Sequence, residues 1–290
     1  MAPASHFYRE DFEGGVEALR LRGFKVRYRE DIFDRARYLA GSDARRADEI
    51  HAMFCDPEVS AVFGVRGGYG SARIIPRLDP GAIRSNPKIF VGMSDLTTLL
   101  LWLGRACGLV SFHGPMVARR GGWPDETWQC LINALAGRGC EEPLRPEGLT
   151  PIIGGVAEGP LVGGNLTILS HSIGTPWQPD LAGAILFIEE VNERYWRVDR
   201  KLIHLRASGL LDGVVGVLVG QVQKHGEPEE GGDQLNEVIR DVLGDLGVPV
   251  LMGFPAGHGQ QNITLPLGVR LRMDADRAEL AWRESGVKTS

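Results

Sequence analysis

The chain has 290 residues, 43% of them hydrophobic and 24% charged, with a formal net charge of −5 at pH 7. That composition can fill one large core or two ordinary ones, and its acidic balance argues against a nonspecific nucleic-acid binder. No apolar run approaches the length of a membrane span, and the opening "MAPASHFYREDFEGG" lacks the basic-then-apolar order of a signal peptide, so a cytoplasmic protein is expected.

Strand and helix signals alternate through the first half. Residues 12–21 and 44–54 pattern as helices, and "SAVFGV" at 60–65 reads as a buried strand. "KIFVGM" is a second short strand, and Leu96, Leu99, Leu100 and Leu103 follow it at helical spacing. "GLVSFHG" is a third apolar run, and residues 125–136 read as a helix. Strands separated by helices predict a parallel α/β sheet.

Between 137 and 163 the chain turns rich in Gly, Pro and charge, which marks the boundary between an N-terminal domain at 1–140 and a C-terminal one at 156–290, with a linker at 141–155. The second half resumes with strand "AILFIEEV", a helix at 195–207, strand "GVVGVLVGQ", a helix at 234–246 and strand "VPVLMG". It closes in "GVRLRMDADRAELAW", which alternates like an antiparallel hairpin. The stretch 224–234 reads as an exposed loop.

Cys55, Cys107, Cys130 and Cys140 form no CxxC pair and are expected to be reduced, packed thiols. The histidines never come within four residues of one another, which excludes an HExxH metal site.

Four features carry possible chemistry. "FGVRGGYGSAR" places Gly67, Gly68 and Gly70 after a strand, where backbone amides can approach a ligand. It matches neither GxGxxG nor a P-loop, so it is either a tight structural turn or a donor to a developing oxyanion, with Arg66 and Tyr69 facing a polar substrate. Ser94, in Gly92-Met93-Ser94-Asp95, is either a helix cap or a nucleophile on a sharp strand-to-helix turn. A serine nucleophile needs a base. His258 sits between two glycines after a strand, and His113 in "SFHGP" competes with it.

A third group must orient that base. Glu189 and Glu190 end a buried strand, and alternation sends them to opposite faces, so one is expected to be buried toward a site and the other solvated. A bland alternative is two surface acids opening a loop. Glycosidase chemistry would need a second acid such as Asp95 and leaves Ser94 and His258 without a role. All these residues lie at predicted strand ends, where open α/β sheets bind ligands, and the order Ser, Glu, His is one that triad enzymes use.

These segments together resemble the serine LD-carboxypeptidases, a family whose relatives include microcin C self-immunity hydrolases. The resemblance rests on "APAS" at 2–5, "VRGGYGSARIIPRLD" at 65–79, "NPKIFVGMSDLTTL" at 86–99 and "HGPM" at 113–116. It continues in "GGNLTILSHSIGTPW" at 163–177, "ILFIEEVNERYWRVDRKLIHL" at 185–205 and "GHGQQNITLPLG" at 257–268. It implies Ser94 as nucleophile, Glu189 rather than Glu190 as the acid, and His258 as base. Oxyanion amides would come from Asp95 and from the glycine turn, with Gly68 favoured and Gly70 left open.

The implied fold is α/β in two domains. The first is a parallel-sheet domain similar to class I glutamine amidotransferases, and the second is a smaller, β-rich α/β domain, with the site between them. Amidotransferase chemistry itself is disfavoured because Ser94 stands where it needs a cysteine. The implied reaction releases terminal D-alanine from a murein tetrapeptide, with cleavage of a peptidyl or aminoacyl adenylate as the alternative. No metal or organic cofactor is required, a homodimer is expected, and Trp177 and the 224–234 loop would tune the substrate. Chains of this family begin further upstream with an apolar strand, so a missing first strand and lowered stability are expected here.

Overall fold

The computed structural model describes residues 1–138, 142–224 and 234–288. Its first sheet contains β1 (Ala61–Phe63), β2 (Ile89–Gly92) and β3 (Ser111–His113), paired in parallel in that order, as the alternating signals predicted. A fourth strand, β9 (Leu265–Leu267), joins β3 antiparallel from the far half of the sequence. The sheet is therefore mixed, a departure from the purely parallel expectation. Three residues centred on Pro266 give little period to read, and their partner lies far away in sequence.

The second sheet takes in the stretch expected to be a linker. Its order is β11 (Glu279–Trp282), β10 (Arg270–Asp274), β5 (Val156–Asn165), β6 (Ile185–Glu193), β7 (Gly216–Lys224), β8 (Val250–Met252) and β4 (Thr150–Ile153). Strands β5 to β8 run parallel at its centre, the β10–β11 hairpin closes one edge, and β4 pairs antiparallel at the other. This sheet is the larger of the two, as expected of a β-rich C-terminal domain.

Strand alternation sorts the core. On β2, Phe90 packs into the cluster shared with the second sheet, and Val91 into the opposite one with Phe12, Val16, Trp128 and Leu131. On β6, Phe187 faces that shared cluster. Leu186 and Ile188 face the helices, where Val198, Leu202 and Leu205 line the inner stripe of helix Tyr195–Ala207. Near-continuous burial along β6 is typical of a strand covered on both faces.

The first helix runs Arg9–Arg20, starting earlier than its apolar pattern because its first turn is polar, with Arg9 and Glu10 exposed and Asp11 half-buried. The second runs Asp43–Cys55, and Ser42 caps it by accepting from the Arg45 amide at 3.1 Å. The helix expected over 234–246 is α-helical to Leu243 and finishes as a 3-10 turn, Gly244–Leu246. Cys55, Cys107 and Cys130 are free thiols. Cys140 and the body of the 224–234 loop lie outside the described residues. Among those residues, no helix is long and apolar enough to cross a membrane.

Candidate active site

Ser94 leaves β2 in a conformation that serines rarely adopt. Its φ is +60°, and a 3-10 turn, Ser94–Leu96, runs directly into helix Thr97–Trp102. A non-glycine residue held there stores about 1–3 kcal/mol of strain. Nothing in the capping of this helix uses the Ser94 side chain, so the simple cap reading fails. Ser94 is half-buried, while Met93 before it and Asp95 after it are buried.

The glycine turn lies against this serine. A Cβ at Gly67 would sit 2.8 Å from Ser94 Cβ, 2.9 Å from its Oγ and 3.2 Å from the Asp95 amide nitrogen, so only glycine fits there. Asp95 ties the two segments together, because its Oδ2 accepts from the Ser71 amide at 2.8 Å. Burial pushes the Asp95 carboxyl up, against the pull of that hydrogen bond. A side chain committed in this way does not serve as the second acid of a glycosidase. Arg66 and Tyr69 lie on the exposed side of the turn. Arg66 Nη1 donates to the His6 carbonyl at 2.7 Å, and Tyr69 meets Tyr38 edge-on with centroids 5.7 Å apart.

Glu189 follows Phe187 onto the face of β6 toward the first sheet, and Glu190 goes to the helix side. Both are buried, which corrects the expectation that one would be solvated. Glu190 is satisfied where it lies, by Lys201 Nζ at 2.9 Å, by the Thr167 amide at 3.0 Å and by the Thr167 hydroxyl at 2.5 Å. Glu189 Oε2 pairs with His258 Nδ1 at 2.7 Å. Burial raises the Glu189 carboxyl, but the His258 ring, with help from His113, outweighs it and holds the pKa at about 2.

The loop carrying His258 is shaped around this contact. Gly257 has φ +133°, and a Cβ there would stand 3.0 Å from Glu189 Oε2. Its amide donates to Asn262 Oδ1 at 3.0 Å. The Gly259 amide donates to Gln221 Oε1 at 2.6 Å, and Arg119 Nη1 donates to the Gly259 carbonyl at 2.8 Å.

Several contacts join the two sheets around the site. Asn262 Nδ2 donates to Met93 Sδ at 3.3 Å, the Asn165 amide to Thr97 Oγ1 at 3.1 Å, and Asn165 Nδ2 to Oε1 of both Glu189 and Glu190, at 3.2 and 3.1 Å. Ser94 and His258 share no direct hydrogen bond among the described residues; Asn262 links Met93, beside the serine, to Gly257, beside the histidine. Sequence reasoning passed over Thr97, Asn165 and Asn262. Asn165 had a signal, because it caps helix Leu166–Ser172 by accepting from the Ile168 amide. His113 is buried, 3.9 Å from Glu189 Oε1, and so lies beneath the acid rather than in the base position. Among the described residues, no group of three or more His, Cys, Asp or Glu side chains gathers as metal ligands.

Comparison with known proteins matches the N-terminal domain model of LD-carboxypeptidases to residues 1–114 and the C-terminal domain model to residues 158–273. The chain belongs to the LD-carboxypeptidase family. A probable murein peptide carboxypeptidase of Bacillus subtilis is 36% identical over 99% of this chain and 91% of its own length. The crystal structure of muramoyltetrapeptide carboxypeptidase from Oxalobacter formigenes superposes with TM-score 0.86 at 31% identity, covering 97% of this chain and 96% of that one. The microcin C7 self-immunity protein MccF superposes with TM-score 0.89 at 27% identity, covering 99% and 96%. This LD-carboxypeptidase thus has the two-domain α/β fold of its family.

Proposed function

We infer that the protein is a serine LD-carboxypeptidase that releases terminal D-alanine from murein tetrapeptides, as in peptidoglycan recycling. The observation that carries the mechanism is the 2.7 Å Glu189–His258 pair, linked through Asn262 to the segment of a serine held at φ +60°. Glu189 accepts from Nδ1–H and so leaves Nε2 free to take a proton. In this reading, Ser94 Oγ attacks the carbonyl carbon of the bond between the L-centre (lysine or diaminopimelate) and D-alanine. Its proton passes to His258 Nε2 and then to the departing amine. Water deacylates the ester by the same route in reverse.

The Asp95 and Gly68 amides stabilise the tetrahedral oxyanion, each worth about 3 kcal/mol. Support for the glycine turn is its packing against Ser94. Arg66 and Tyr69, exposed on that turn, contact the peptide. Residues 1–140 supply the nucleophile and 156–290 the Glu–His pair, and the enzyme works as a cytoplasmic homodimer.

The similarity to MccF supports a second reading, cleavage of a peptidyl or aminoacyl adenylate by the same triad. Incubation of wild type and Ser94→Ala with a murein tetrapeptide separates the two. D-Alanine release by wild type alone supports the first reading. Release that survives Ser94→Ala overturns the mechanism. Turnover of the adenylate conjugate without D-alanine release moves the assignment to the second.

A further inference from the structure

His113 is fully buried at the end of β3, and neither of its ring nitrogens has a hydrogen-bond partner among the described residues. A buried polar group left in this way costs about 1–3 kcal/mol and asks for a reason. Packing alone does not supply one, because an apolar side chain of similar size would fill the site without that cost.

The ring is held in one attitude. It meets Phe187 edge-on, with centroids 4.9 Å apart and planes at 75°. On its backbone, β3 pairs it with Gly92 on one side and Leu265 on the other. Gly92 lies two residues before Ser94, so the strand that aims the nucleophile also sets the height of this imidazole. From there Nε2 points across the junction of the two sheets to Glu189 Oε1, 3.9 Å away.

Glu189 is thus met from three elements. His258 takes Oε2, while Asn165 donates to Oε1 and His113 approaches the same oxygen. The other charged groups nearby are Glu190, which shares Asn165, and Lys201, which neutralises Glu190. Asn165 grips both carboxylates and so cannot by itself fix the tilt of either.

We propose that His113 is a positioning residue of the LD-carboxypeptidase reaction, its Nε2–H directed at Glu189 Oε1 so that the carboxylate keeps the angle at which Oε2 holds His258. This rests on the triad reading above. The 3.9 Å gap is longer than a hydrogen bond and closes on the reaction path, in the way that catalytic hydrogen bonds tighten in the substrate complex. His113 touches no substrate, and it moves no proton to the reacting atoms.

The test has two arms, and one does not depend on activity. In 15N-labelled wild type, the His113 ring is expected in the form protonated at Nε2. An unprotonated Nε2 overturns the proposal whatever the enzyme cleaves. In kinetics with the murein tetrapeptide, His113→Leu removes the donor and keeps most of the volume. His113→Gln places an amide N–H near the same point. The leucine variant is expected to lose roughly tenfold in kcat with KM unchanged, a misaligned-base effect. Glutamine restores kcat.

An equal loss in both variants overturns the proposal, as does a loss that falls on KM rather than kcat. If His113→Leu fails to fold, the wild-type spectrum and the glutamine variant still decide. Absence of D-alanine release by wild type is a failure of the triad reading, not of the ring's orientation.

Discussion

Asn262 connects the residue before the serine to the residue before the histidine. Its amide nitrogen donates to Met93 Sδ at 3.3 Å, its Oδ1 accepts from the Gly257 amide at 3.0 Å, and its own backbone amide donates to Thr127 Oγ1 at 3.1 Å. Met93 adjoins Ser94, and Gly257 adjoins His258, so a single buried side chain sets the offset between the two. Asn262→Ala is expected to cost about 1–3 kcal/mol of stability by stranding the Gly257 amide and removing the donor to Met93 Sδ. The expected loss in kcat is larger in effect, about 100-fold, since a misplacement near 1 Å costs that much. Urea unfolding and initial rates of D-alanine release, measured on the same preparation, check both.

The strain at Ser94 is expected to be releasable. Glycine adopts φ +60° freely, so Ser94→Gly should gain about 1 kcal/mol in stability while abolishing turnover. Ser94→Ala keeps the Cβ and gains nothing. A melting temperature for Ser94→Gly at or below that of Ser94→Ala would count against a strained nucleophile.

Glu189 predicts a pH window for stability. Its carboxyl lies at about 2 in the fold against an ordinary 4.5, so the folded state binds the proton less readily than the unfolded chain. The stabilisation is complete above pH 4.5 and falls away as pH drops toward 2. Glu189→Gln should flatten that part of the stability–pH curve. It should also lower kcat by roughly 1,000-fold or more, because an amide favours the wrong imidazole tautomer. Chemical denaturation at pH 5, 4 and 3 measures the first effect, and tetrapeptide hydrolysis at neutral pH the second.

Gly257→Ala tests whether the histidine loop tolerates a side chain. The added methyl would meet Glu189 Oε2 at 3.0 Å, from a backbone at φ +133°. Expected are a stability loss of about 1–3 kcal/mol and a fall in kcat without a matching rise in KM, because the methyl separates Glu189 from His258. An unchanged kcat would mean that the loop relaxes around it.

The positions of the triad residues at strand ends were legible in the sequence because they obey short-range rules, while the choice of Glu189 over Glu190 and of His258 over His113 came from the family resemblance. Ser94, Glu189 and His258 each follow an apolar run and precede a turn or helix, and alternation along β6 was enough to part Glu189 from Glu190. It was not enough to say that Glu190 is buried. That depends on Lys201, one helix further on, and on Thr167, both brought in by packing. Asn165, at the end of β5, carried only the signature of a helix cap, and Asn262 that of a loop residue; neither signature says that the residue bridges the two sheets. The glycine turn was located, but not the glycine that touches Ser94. Gly67 has no positional mark beside Gly68 and Gly70, and only the approach of the serine distinguishes it.

Strand β9 has a consequence for how the enzyme comes into being. It lies just beyond the histidine loop in the chain, yet it completes the sheet that bears Ser94. During synthesis, that sheet stays one strand short until residues 265–267 have been made, long after the segment that carries Ser94. On the triad reading, the serine gains its base and its sheet's last strand from one late stretch of chain.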